Sequence, residues 1–154
     1  MHVLRYLKGT LEFELCCTKC DEGLTLVGYS DADWASSSDD RRSTSGYCFS
    51  LNRAGPLISW KSTKQPTVAL SSCEAEYIAL AAAVQEGLYV TQLVNDVRKM
   101  CEPVVILQDN QGTIVLSKNP VSRQRSKHID VRYHLIGTVQ SRAVASMRQS
   151  EALA

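Results

Sequence analysis

Leu24-Thr25-Leu26-Val27-Gly28-Tyr29-Ser30-Asp31-Ala32-Asp33-Trp34 is a β-prone apolar run that stops abruptly at acid. A second run, Val104-Val105-Ile106-Leu107-Gln108-Asp109-Asn110-Gln111, ends the same way. Between them, Ser71-Ser72-Cys73-Glu74-Ala75-Glu76-Tyr77-Ile78-Ala79-Leu80 opens a long helical pattern carrying Glu in its first turns. Two strands joined by one long helix predict a parallel pair with a crossover connection. Asp31 and Asp109 then leave the sheet at one edge, at carboxyl ends of neighbouring strands, where open α/β sheets place their ligand sites. Carboxylates held that close repel one another unless divalent cations neutralise them. The pattern therefore predicts a magnesium-type site.

Outward from these stretches, residues 3–8 read as a helix stopped by Gly9. Residues 11–17 read as a strand that forms a hairpin with 24–30 through the turn 21–23. Residues 35–45 are rich in Ser, Asp and Arg and form a loop. Strands follow at 46–51 and 56–62, separated by the turn 52–55. The long helix runs from Ser71 or Ser72 to about Lys99. Ser71 and Glu74 make a capping box, and Ile78, Leu80, Ala81, Ala82, Val84, Leu88, Leu93, Val94 and Val97 supply the apolar face. After Pro103 come a strand at 104–107, a short helix at 111–118, a basic loop at 122–129 and a last helix near Asp130. This order predicts an α/β fold, a mixed sheet with helices on its faces.

The chain has 154 residues, 44% of them hydrophobic, which suits one compact domain with a sizeable core. A formal net charge of +1 provides no global basic field, so any nucleic-acid footprint must be local. No apolar run approaches the roughly 20 residues that span a membrane, and the first residues do not read as a secretory signal. The expected location is cytoplasmic or nuclear. Six cysteines lack a repeated paired spacing and read as reduced, with no second ligand pair to complete a zinc site around Cys16, Cys17 and Cys20.

Several motifs in fixed order resemble the ribonuclease H domain of copia-type LTR retrotransposon Pol polyproteins. They are Tyr29-Ser30-Asp31-Ala32-Asp33-Trp34, Arg41-Arg42-Ser43-Thr44-Ser45-Gly46-Tyr47, Ile58-Ser59-Trp60-Lys61-Ser62 and Gln65-Pro66-Thr67-Val68-Ala69-Leu70-Ser71-Ser72. Glu74-Ala75-Glu76-Tyr77, Asp109-Asn110-Gln111 and Lys127-His128-Ile129-Asp130-Val131-Arg132-Tyr133-His134 complete the set. The match runs from about residue 3 to 136. Residues 3–10 also resemble the segment that links reverse transcriptase to this domain. Expected boundaries are a residual linker at 1–20, the ribonuclease H-like domain at 21–136 and a divergent tail at 137–154.

The resemblance implies cleavage of the RNA strand of RNA–DNA hybrids. Two Mg2+ ions about 3.5–4 Å apart would serve it, with Mn2+ able to substitute. Asp31, Glu76 and Asp109 would be the catalytic metal ligands, Asp31 bridging both ions. The implied partners are the hybrid and the reverse transcriptase portion of the same polyprotein, in the cytoplasm within a virus-like particle or in the nucleus. Glu76 is preferred to Glu74 because two residues along a helix turn about 200°, and Glu74 already has a capping role. In the family, a further strand and a short helix with a fourth metal-site Asp follow the last motif. The text after Ile136 departs from that pattern, so the chain is expected to be C-terminally truncated, with the strand and helix absent and strand 104–108 at a sheet edge. Asp130 reads as an N-cap, and it is also the one remaining acid in the matched region that could replace the fourth ligand. Arg123, Arg125 and Lys127, with Arg41 and Arg42, are candidate phosphate contacts; as ordinary residues they are solvated loop. A second reading keeps the fold but not the chemistry, leaving a remnant that acts only in nucleic-acid or protein binding.

Overall fold

The computed structural model describes residues 2–17, 24–53, 55–97, 103–118, 135–138 and 145–149. Its elements are α1 (His2–Gly9), β1 (Leu26–Asp33), β2 (Thr44–Leu51), β3 (Leu57–Lys64), α2 (Ser72–Val97), β4 (Val104–Gln108), α3 (Gln111–Lys118) and β5 (Ala145–Gln149). Residues 135–138 are also helical. The turn expected at 21–23, the basic loop at 122–129 and the start of the last helix lie outside the described residues.

The strands form one mixed sheet in the order β3-β2-β1-β4-β5. β1 sits at its centre. One edge of β1 pairs antiparallel with β2, Leu26 opposite Leu51 through to Asp33 opposite Thr44. Its other edge pairs parallel with β4, Val27, Gly28 and Tyr29 lying opposite Val105, Ile106 and Leu107. The expected parallel pair with a helical crossover is therefore present.

α2 lies across one face of the sheet. Tyr77, Leu80 and Val84 pack with Leu26, Phe49, Val104, Ile106 and Ile136 in the core. Two glycines make room for the Phe49 ring. A Cβ at Gly28 would overlap that ring, and one at Gly87 would come within 3.3 Å of it. The N-terminus of α2 is capped by Ser71, whose Oγ accepts the Glu74 amide at 3.2 Å. The Glu74 carboxylate accepts the amide of Leu70 at 2.8 Å, not that of Ser71. Burial along α2 ends at Val90, while Leu93 and Val97 are exposed. The cause is length: 26 helical residues span about 39 Å, whereas the eight-residue central strand spans about 26 Å.

Two expectations are corrected. Residues 13–17 join no strand and are exposed, so the hairpin with 24–30 does not form. Both edges of β1 are already occupied, by β2 and β4. The strand expected to be missing is represented: Ala145–Gln149 pairs parallel with β4, from Val104 opposite Ala145 to Gln108 opposite Gln149. β4 is consequently an interior strand, and the sheet extends into the segment expected as a tail.

Candidate metal centre

Each acid of the site is delivered by a different element. Asp31 lies near the end of β1, Glu76 in the first turns of α2, and Asp109 one residue past β4. Parallel pairing of β1 and β4 brings the two strand ends together. The start of α2 is tied to the start of α3 by the Thr113 hydroxyl, which donates to the Cys73 carbonyl at 3.2 Å. Asn110 caps α3 by accepting the Thr113 amide at 3.0 Å.

One carboxylate oxygen from each of Asp31, Glu76 and Asp109 lies within 4.8 Å of the other two. Asp31 and Asp109 are exposed and Glu76 is buried. Burial first, then the charges of Asp31 and Asp109, push the Glu76 carboxyl up to about 7. Hydrogen bonds from Gln108 and from the Ala32 amide work in the opposite direction. An all-oxygen set in which two exposed carboxylates converge on a buried third fits a hard divalent cation, which would relieve that repulsion.

Glu74, held by Leu70, takes no part in this cluster. Asp33 is exposed at the end of β1 and also stays outside it. Arg41 and Arg42 lie in the loop after β1, exposed. Arg42 Nε is 3.4 Å from Asp40 Oδ2, and Lys64 Nζ is 2.9 Å from Asp40 Oδ1. Lys64 most of all, then Ser37 and the backbone amide of Arg42, hold the Asp40 carboxyl well below the usual carboxylate range. Arg123, Arg125, Lys127 and Asp130 lie outside the described residues.

Sequence reasoning missed Gln108. Its side chain is fully buried and hydrogen-bonded to Glu76, to Ser30 and to the backbone of Asp109 and Asn110. Nε2 donates to Glu76 Oε2 at 3.1 Å and to Ser30 Oγ at 3.2 Å. Oε1 accepts the backbone amides of Asp109 at 2.8 Å and Asn110 at 3.3 Å. The available signal was a polar residue closing an otherwise apolar strand immediately before Asp109.

This sheet order and crossover belong to the ribonuclease H-like class. LC11-RNase H1, isolated from compost, superposes with a TM-score of 0.59 at 12% identity over 83% of this chain and 85% of that one. Its complex with RNA/DNA hybrid superposes at 0.57 and 14% identity, covering 83% and 86%. In sequence, the chain is a homologue of the retrovirus-related Pol polyproteins of transposons. It is 42% identical over 134 residues to that of transposon TNT 1-94 from Nicotiana tabacum, covering 87% of this chain. It spans only 10% of that polyprotein's length. A secreted RxLR effector protein 161 from Plasmopara viticola is 55% identical over 89 residues, covering 58% of this chain and 61% of the effector. No family model matches the chain.

Proposed function

We propose that this chain is a divalent-metal-dependent endonuclease domain that cleaves the RNA strand of RNA–DNA hybrids, as part of a retrotransposon Pol polyprotein. The observation that carries the reading is the convergence of Asp31, Glu76 and Asp109 at the carboxyl ends of β1 and β4. Those three residues would hold Mg2+, or Mn2+ in its place. The bound ions would supply an activated water and charge stabilisation for the leaving 3′ oxygen. Glu76, buried on α2, anchors the site from the protein side. Asp31 and Asp109, exposed, form the rim that a phosphodiester would meet. The hybrid complex formed by a protein of the same fold supports the choice of substrate. The reading takes the reverse transcriptase portion of the same polyprotein as the partner in cis, and the cytoplasm or nucleus as the place of action. Among the described residues no helix is long and apolar enough to cross a membrane.

The test is cleavage of labelled RNA–DNA hybrid in Mg2+ and in Mn2+, against single-stranded RNA and duplex DNA. Asp31→Asn is expected to abolish hybrid cleavage while leaving the circular dichroism spectrum unchanged. Equal cleavage by wild type and Asp31→Asn, or activity that survives EDTA, overturns the assignment.

A further inference from the structure

We infer that Gln108 is a positioning residue of the acidic cluster, a single planar amide that sets where Glu76 and Asp109 stand relative to β1. The inference rests on the metal-site reading of Asp31, Glu76 and Asp109. A glutamine amide offers two N–H donors and one oxygen with two lone pairs. At Gln108 every one of these is used. The two donors go to Glu76 Oε2 and Ser30 Oγ, and the two lone pairs take the amides of Asp109 and Asn110.

The amide therefore has one allowed orientation. Turned over, its NH2 group would face two backbone N–H groups and its oxygen would face the Glu76 carboxylate. With all four bonds made, the side chain cannot rotate without breaking several of them at zero exposure, and broken bonds there are not replaced by water. The four partners belong to three separate parts of the site. Ser30 precedes Asp31 on β1, Glu76 is the α2 acid, and the two backbone amides shape the turn that aims Asp109. Donation to Oε2 fixes one oxygen of the Glu76 carboxylate, which also takes the Ala32 amide. Groups that orient ligating side chains in this way characteristically govern metal affinity.

The experiment uses the full 154-residue chain and reads Mn2+ binding by calorimetry, well below the unfolding temperature of each variant. Gln108→Met keeps the length and removes every hydrogen bond; it is expected to weaken Mn2+ binding about 10- to 100-fold with an unchanged far-UV spectrum. Glu76→Gln is the control for the reading beneath and is expected to remove measurable binding. If Glu76→Gln binds Mn2+ like wild type, the metal-site reading fails and the inference falls with it. If Glu76→Gln loses binding while Gln108→Met binds like wild type, the inference alone is overturned, because a merely structural glutamine would change stability and not affinity. Should Gln108→Met fail to fold, the side-chain amide resonances of Gln108 in the wild-type protein decide. They are expected to shift on Mg2+ titration with the same midpoint as the backbone amide of Asp109. Resonances that stay fixed while Asp109 responds overturn the proposal.

Discussion

Glu76→Gln is expected to make the metal-free protein more stable at alkaline pH, although it removes the best-buried acid of the site. In the folded chain the Glu76 carboxyl titrates near 7 and not at its ordinary 4.5, chiefly because it is buried and then because Asp31 and Asp109 repel its charge. Below pH 4.5 the group is protonated in both folded and unfolded chains and contributes nothing. Between about 4.5 and 7 folding retains a proton that the unfolded chain releases, so stability falls as pH rises. Above 7 both states are ionised and the full penalty applies. Each tenfold change in proton affinity is worth about 1.4 kcal/mol, so the penalty is at most about 3 kcal/mol. Glutamine carries no charge and can still accept from Gln108 Nε2. At about 2–4 °C for each kcal/mol, Glu76→Gln should raise Tm at pH 8 in EDTA, by no more than roughly 6–12 °C. At pH 4 the gain should vanish. Adding Mg2+ at pH 8 should stabilise wild type by mass action and leave the variant unmoved. Thermal unfolding at the two pH values, with and without Mg2+, measures all of this. Loss of stability in the variant at pH 8, or an equal gain at both pH values, would refute the reasoning.

Three further outcomes are expected. Gly28→Ala forces a methyl into the Phe49 ring, whose Cδ1 would lie 2.9 Å from the new carbon, and should cost about 1–3 kcal/mol by urea denaturation; Phe49→Leu in the same chain should recover part of it, and an unchanged urea midpoint in the single variant would contradict the packing. Asp40→Asn releases Arg42 and Lys64 from their shared carboxylate, so hybrid affinity measured by fluorescence anisotropy should rise at low salt and fall more steeply with added salt; identical salt curves would mean that neither cation reaches the nucleic acid. Replacing Arg123, Arg125 and Lys127 together with Ala should weaken hybrid binding and flatten its log–log salt slope, by about 0.9 for each phosphate no longer neutralised if the hybrid behaves like duplex DNA, and an unchanged slope would mark that stretch as solvated surface.

The elements that read correctly from sequence are those fixed by local signals. α3 falls at Gln111–Lys118 because Asn110 caps it and the chain leaves an apolar strand just before it. β2 and β3 fall within a few residues of expectation because a four-residue turn separates two β-prone runs, with Asn52 at φ 70° within it. The failure at residues 11–17 has another origin. Leu11, Phe13 and Leu15 alternate as a strand should, yet all three are exposed. A strand pattern describes one edge of a possible ladder, whereas pairing needs a free edge on the partner. β1 had none left once β2 and β4 were in place, a competition between segments far apart in sequence. β5 was missed for the converse reason. Its pairing with β4 is made entirely by backbone groups, so departure from a motif in residues 137–144 carries little information on whether residues 145–149 can complete a ladder.

The acids were legible because their chemistry is written in residue type. An Asp ending each of two parallel strands, with a Glu at the start of the connecting helix, can converge in few ways other than the one observed. The preference for Glu76 over Glu74 rests on helix geometry, on a capping role for Glu74 and on the Glu-x-x-Ala pattern of the resemblance. The amide that joins these acids was not legible, since glutamine at a strand end is common and its effect depends on four partners drawn from residues 30, 76, 109 and 110. Sequence order places Gln108 beside Asp109, but only the fold puts Ser30 and Glu76 within reach of the same nitrogen. A site of this kind therefore has two layers of different visibility. Charges that must meet announce themselves through type and spacing, whereas the neutral groups that fix their separation are defined by burial and by the count of satisfied hydrogen bonds. The second layer determines whether three carboxylates within 4.8 Å form a rigid cradle or merely repel.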